Sequence, residues 1–100
     1  MATEIMSTHD LAIGQMMGVE KDGQSLLIAN VEGSFYAIND ICTHMGCKLS
    51  GGVLTGDKVQ CPCHGSIFNV KTGQVEKGPA KKPVSSYPLE IDGDKILAEL

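Results

Sequence analysis

Two short stretches decide how this chain is read: CTHMGC, residues Cys42 to Cys47, and CPCHGS, residues Cys61 to Ser66. Each holds two cysteines and one histidine. Together they contain all four cysteines and two of the three histidines of a 100-residue protein. Written as ligand candidates, Cys42 and His44 form C-x-H, and Cys61 and His64 form C-x-x-H. Each loop therefore offers one thiolate and one imidazole at chelating distance. Soft thiolates and imidazoles serve both zinc and iron–sulfur centres, so donor chemistry leaves two readings. A closed zinc site fits less well. Common zinc modules keep like ligands together, whereas here they are interleaved, and zinc leaves Cys47 and Cys63 without a role. The other reading is a two-iron cluster.

Outward from these loops, the chain is punctuated by turns and has little helical periodicity. KDGQ (Lys21 to Gln24) is an Asp-Gly hairpin signal between MMGVE and SLLIANV, and VEGSF (Val31 to Phe35) is a second tight turn. TGDK, KTGQ and IDGDK supply three more. In the last hairpin Tyr87, Leu89 and Ile91 alternate with polar or turn residues, and Ile96, Ala98 and Leu100 alternate on the return. Many short strands at close spacing predict an all-β fold, a sandwich or barrel. The stretch from about 40 to 83, rich in Gly and Pro, reads as a small inserted subdomain on a basal part made of 1–39 and 84–100. STHDL (Ser7 to Leu11) allows one helical turn. His9 reads as a surface residue, and Met16 and Met17 as core or edge.

The hydrophobic fraction is 42% and the aromatic fraction only 4%, with no Trp, so the core must come from Val, Ile, Leu and Met. A domain of this size gains from a covalent or metal staple. The formal net charge is −4 and Arg is absent, which excludes a non-specific nucleic-acid binder. The N-terminus has no basic start, and no apolar run reaches the length of a signal peptide or membrane span. The expected location is cytoplasmic.

CTHMGC with CPCHGS closely resembles the cluster loops of the Rieske iron–sulfur proteins. The resemblance extends from FYAINDICTH through GPA (Gly78 to Ala80) to the terminal hairpin. It implies a Rieske-like antiparallel β-sandwich or barrel, with the inserted segment binding one 2Fe-2S cluster. By the resemblance Cys42 and Cys61 hold the buried iron, and His44 and His64 hold the outer iron near solvent. It also implies a Cys47–Cys63 disulfide, as in the high-potential cytochrome bc-type branch. Rieske ferredoxins of ring-hydroxylating oxygenases usually lack that pair, and a cytoplasmic disulfide runs against the general rule. Gly46 and Gly65 fall at the tight turns around the cluster, and Pro79 in a loop that covers it. Gly51 and Gly52 read as ordinary loop glycines.

The ligand set also sets the electron affinity that the resemblance implies. With two thiolates and two neutral imidazoles the oxidised site is neutral and the reduced site singly negative. An all-cysteine cluster goes from dianion to trianion, so the mixed set accepts an electron more readily. Ser66 stands where the family donates a hydrogen bond to a bridging sulfide. Phe68 stands where the high-potential proteins usually carry a tyrosine donor. Losing that donor lowers the potential by at most about 60–120 mV, from the value of a charge-assisted hydrogen bond.

The expected function is that of a one-electron carrier, with a redox-protein donor and acceptor docking at the His44/His64 edge and no substrate turned over by the chain itself. Lys48, Lys81 and Lys82 form a basic rim there, suited to an acidic partner. Two rivals share the motif: a quinol-oxidising respiratory subunit without its anchor, and the ferredoxin component of a ring-hydroxylating oxygenase, against which the extra cysteine pair counts.

Overall fold

The computed structural model describes residues 2–43, 46–63, 65–78 and 80–99. His44, His64 and Pro79, which the sequence singles out, lie outside the described residues, as do Met45 and the two terminal residues. Among the described residues regular structure consists of antiparallel strands and two 3-10 turns. None of them forms a helix long and apolar enough to cross a membrane.

Strand β1 (Ala2–Ser7) ends in a 3-10 turn over Thr8–Asp10. Ser7 caps that turn by accepting from His9 N–H, and Asp10 accepts from Ser7 N–H in return. His9 is exposed. Strands β2 (Met16–Lys21), β3 (Gln24–Val31) and β4 (Ser34–Asn39) then form a meander. Its two-residue turns, Asp22-Gly23 and Glu32-Gly33, all have positive φ, which matches the twist of the flanking strands.

From Asn39 the chain leaves this sheet. It builds a second meander from β5 (Val53–Thr55), β6 (Lys58–Gln60), β7 (Ile67–Asn69) and β8 (Val75–Lys77). It returns as β9 (Ser86–Tyr87), which pairs with β4 at Ala37 and Ile38. Strands β10 (Leu89–Asp92) and β11 (Lys95–Glu99) close the fold, β11 lying between β10 and β1.

The terminal hairpin thus starts at Leu89, with Ile91 opposite Ile96 and Leu89 opposite Ala98. Tyr87 does not join it, which corrects the sequence expectation. Pro88 interrupts the ladder, and Tyr87 is fixed elsewhere: its hydroxyl donates to Gln24 Oε1 and accepts from Asn39 Nδ2.

Strand β3 is the shared wall of the molecule. Its residues Leu26 to Val31 are all buried, as expected of a largely apolar run covered on both faces. The one polar member, Asn30, donates to Leu11 C=O and accepts from Gly33 N–H. Successive side chains point to opposite sides. Leu26 and Ile28 join Met6, Leu11, Ala37 and Ile96 in a core against the terminal sheet. Leu27, Ala29 and Val31 join Ile38, Leu49, Val59, Phe68 and Val70 in a second core against the inserted sheet. Fully burying one such Leu or Ile contributes about 1.5–3 kcal/mol. Met16 packs on the second core and Met17 lies exposed on the β2 edge.

Candidate metal centre

Both cysteine loops are tips of β-hairpins closed by the same pair of backbone hydrogen bonds. At the first tip Cys42 N–H donates to Cys47 C=O (2.8 Å), and Gly46 N–H donates back to Cys42 C=O (2.9 Å). At the second, Cys61 N–H donates to Ser66 C=O (2.7 Å), and Gly65 N–H donates to Cys61 C=O (3.2 Å). Each tip therefore spans six residues and turns on a glycine four places after its first cysteine. Gly46 and Gly65 have φ of 75° and 80°, a left-handed conformation that side-chain-bearing residues adopt at a cost.

The equivalence places Cys42 and Cys61 at matching positions. Both are buried and both are free thiols. Cys47 and Cys63 form a disulfide that bolts one tip to the other, and Cys61 Sγ lies within 4.8 Å of both its sulfurs. That sulfur trio is not itself a metal site, because a disulfide leaves only one of its members as a thiolate. The thiols left over as candidate ligands are those of Cys42 and Cys61, one per tip.

Ser66 is fully buried, and its Oγ accepts from Ala80 N–H at 3.0 Å. The hydroxyl proton meets no acceptor among the described residues, so it remains available to an acceptor brought into the site. Phe68, fully buried in the second core, has no polar atom to offer. The segment after Pro79 straps both tips. Ala80 holds the second through Ser66, and Lys82 C=O accepts from Thr43 Oγ1 of the first at 2.6 Å.

The first hairpin has a second anchor that sequence reading missed. Asp40, 2% exposed, accepts from Ser50 N–H and from Ser50 Oγ–H, both at 2.7 Å, and its carbonyl accepts from Leu49 N–H. Gly18 of the neighbouring strand passes so close that a Cβ there would meet Ser50 Oγ at 2.6 Å and Asp40 Oδ2 at 2.9 Å. An acidic residue directly before an apolar-cysteine pair was the available signal, but nothing local marks Ser50 as its partner. Gly52 also proves constrained, since a Cβ there would overlap Gln60 C=O. Of the three rim lysines, Lys48 is not free: its Nζ pairs with Glu20 at 3.2 Å. Lys81 and Lys82 are exposed on the strap.

Two buried thiols on facing tips, beside a buried hydroxyl with an uncommitted proton, suit a thiophilic metal bearing an anionic bridging atom. A 2Fe-2S cluster meets that description, with irons for the thiolates and sulfides for the proton.

Comparison with known proteins agrees. The family model described as Rieske [2Fe-2S] domain matches residues 1–88. The ferredoxin component of biphenyl 2,3-dioxygenase from Rhodococcus jostii (strain RHA1) is 38% identical over 98 residues, covering 98% of this chain and 92% of that one. Among solved structures, the ferredoxin of carbazole 1,9a-dioxygenase from Nocardioides aromaticivorans IC177 superposes with a TM-score of 0.93 at 28% identity, covering 97% and 95%. A chain of the complex of reduced oxygenase and oxidised ferredoxin in carbazole 1,9a-dioxygenase gives 0.92 at 32% identity, covering 97% and 91%. The cysteine pair thus does not separate this chain from oxygenase ferredoxins. The chain belongs to the Rieske 2Fe-2S family, and it is a ferredoxin-type electron carrier that binds one such cluster.

Proposed function

We propose that this chain is the ferredoxin component of a multicomponent oxygenase, holding its cluster through Cys42, His44, Cys61 and His64. The observation that carries the ligand assignment is the matched placement of Cys42 and Cys61, two buried free thiols on tips of identical backbone closure. The histidines follow at the second and third positions after these cysteines, inside the same six-residue turns. The oxygenase assignment is supported by the relatives, whose names are those of dioxygenase ferredoxin components matched over nearly their whole length.

In this reading residues 40–83 are the cluster-binding subdomain, set on a basal part of 1–39 and 84–100. In this reading the protein works in the cytoplasm. The bound cluster supplies a centre that gains and loses one electron. Cys42 and Cys61 anchor it on the core side, where exclusion of water fixes its environment. His44 and His64 form the outward edge at which donor and acceptor dock. Ser66 would donate a hydrogen bond from its hydroxyl to a sulfide of the cluster, which favours the reduced, more negative state, and Ala80 N–H holds the Ser66 oxygen in place. Phe68 donates nothing. The potential is therefore expected below that of Rieske proteins with a tyrosine at the Phe68 position.

Iron and acid-labile sulfide analysis of the purified protein, with its visible spectrum, tests this directly. Two of each per chain are expected. Cys42→Ser and Cys61→Ser are each expected to lose the cluster while Cys47→Ser retains part of it. A colourless protein, or cluster retention in Cys42→Ser, contradicts the assignment.

A further inference from the structure

The net charge of −4 conceals a strong segregation. Residues 41–89 carry six lysines against two carboxylates, Asp57 and Glu76, a formal +4. Residues 1–40 and 90–100 carry two lysines against ten carboxylates, a formal −8. The positive part contains both hairpin tips, the inserted sheet and the strap. The negative part is the two basal sheets apart from β9 and Leu89, together with Asp40, the buried anchor of the first tip. The molecule is 38 Å in its longest dimension, several times the screening length of about 10 Å at 0.1 M salt. A partner approaching the tips therefore feels the local charge rather than the net charge.

Not every lysine of the positive part contributes to that face. Lys48 pairs with Glu20, Lys58 pairs with Asp57, and Lys71 lies over the Tyr36 ring at 5.7 Å. Lys77, Lys81 and Lys82 are exposed and form no ion pair among the described residues. Lys77 is opposite Ile67, the residue after Ser66, and so flanks the second tip. Lys81 and Lys82 sit on the strap that is hydrogen-bonded to both tips. Exposed cations that flank the second tip and lie on the strap give this end of the molecule the charge of a docking face for an acidic partner.

We propose that Lys77, beside the second tip, and Lys81 and Lys82, on the strap that joins both tips, form a docking face that recognises an acidic patch on a redox-partner protein. This rests on the electron-transfer reading above and adds the chemistry of the partner's surface. The acidic basal end turns away from such a partner, so the charge separation orients the tips toward it during encounter.

The test uses small charged oxidants in place of the partner. Reduced holoprotein is oxidised by ferricyanide, an anion, and by a tris-phenanthroline cobalt(III) cation, each taking one electron, at ionic strengths from about 10 to about 200 mM. The face predicts that ferricyanide oxidation slows with salt, by about tenfold over this range, while the cobalt reaction speeds up. Combined Lys77→Gln, Lys81→Gln and Lys82→Gln is expected to flatten or invert the ferricyanide slope with the visible spectrum unchanged. Ferricyanide oxidation that accelerates with salt in the wild type, as a net charge of −4 demands, overturns the proposal. So does an unchanged slope in the triple variant. Those results, with an intact reducible spectrum, leave the electron-carrier reading standing. A protein with no reducible spectrum removes that reading and this proposal together.

Discussion

The two hairpin tips share a backbone path and differ in what holds it. The second is the continuation of a regular ladder: Val59 faces Phe68, Gln60 faces Ile67, and the Cys61–Ser66 pair follows in register. Val59 and Phe68 below it are fully buried, so the core itself supports that tip. Among the described residues the first has no regular strand pair beneath it, and its ladder is the isolated Ile41–Lys48 bridge between the Asp40–Leu49 and Cys42–Cys47 hydrogen bonds. Three extra devices compensate: the Asp40–Ser50 pair, the Thr43–Lys82 hydrogen bond and the disulfide to the second tip. One half of the site is therefore built on the sheet, and the other is tied to it.

Removing a tie should affect the first tip far more than the second. The largest effect is expected from Cys47→Ser with Cys63→Ser, which opens a link between residues 16 apart. Loss of a closure of that length costs about 3 kcal/mol, read as a drop in melting temperature and faster loss of cluster colour. Equal stability of the double variant would show that the first tip stands on its own. Next comes Asp40→Ala, which leaves Ser50 N–H and Oγ–H without acceptors in a half-buried place and costs about 1–2 kcal/mol. Asp40→Asn keeps an acceptor and should recover most of it in the same melt. If Asp40→Ala melts like the wild type, the carboxylate is not an anchor.

The fold's legibility followed the same divide. The Asp22-Gly23 and Glu32-Gly33 turns, the long β3 run and the closing hairpin announce themselves locally, because hairpin register and turn conformation depend on neighbouring residues. So do the cysteine loops, whose chemistry is concentrated in two hexapeptides. The Asp40–Ser50 pair, the Tyr87 assignment to β4 and the strap's hold on Thr43 depend on groups brought together from 10, 48 and 39 positions apart. No local pattern encodes such pairings. Nor could the sequence show that Lys48, unlike Lys81 and Lys82, is occupied by Glu20.

Where the tips are alike, substitution should act alike. Gly46→Ala and Gly65→Ala each force a side chain into left-handed backbone and are expected to cost about 1–2 kcal/mol. Among the described residues the nearest heavy atom to a Cβ at Gly65 is Gln60 Nε2 at 3.4 Å, and none lies within 4 Å at Gly46, so backbone strain dominates at both. A wide gap between their melting temperatures would break the equivalence of the turns. The smallest effect on folding is expected from Phe68→Tyr, whose hydroxyl needs an acceptor in a fully buried place. With a ligand sulfur as that acceptor, the hydrogen bond favours the reduced state. The midpoint potential then rises by at most about 60–120 mV. Ser66→Ala should lower it, and an unmoved redox titration for both variants would remove these donors from the account.

The central claim is that one thiolate and one imidazole from each tip hold the cluster. Electron-nuclear hyperfine spectroscopy of the reduced protein, labelled with 15N only in histidine, tests it most directly. Two strongly coupled histidine nitrogens are predicted, and a cluster signal with no histidine coupling would contradict the claim.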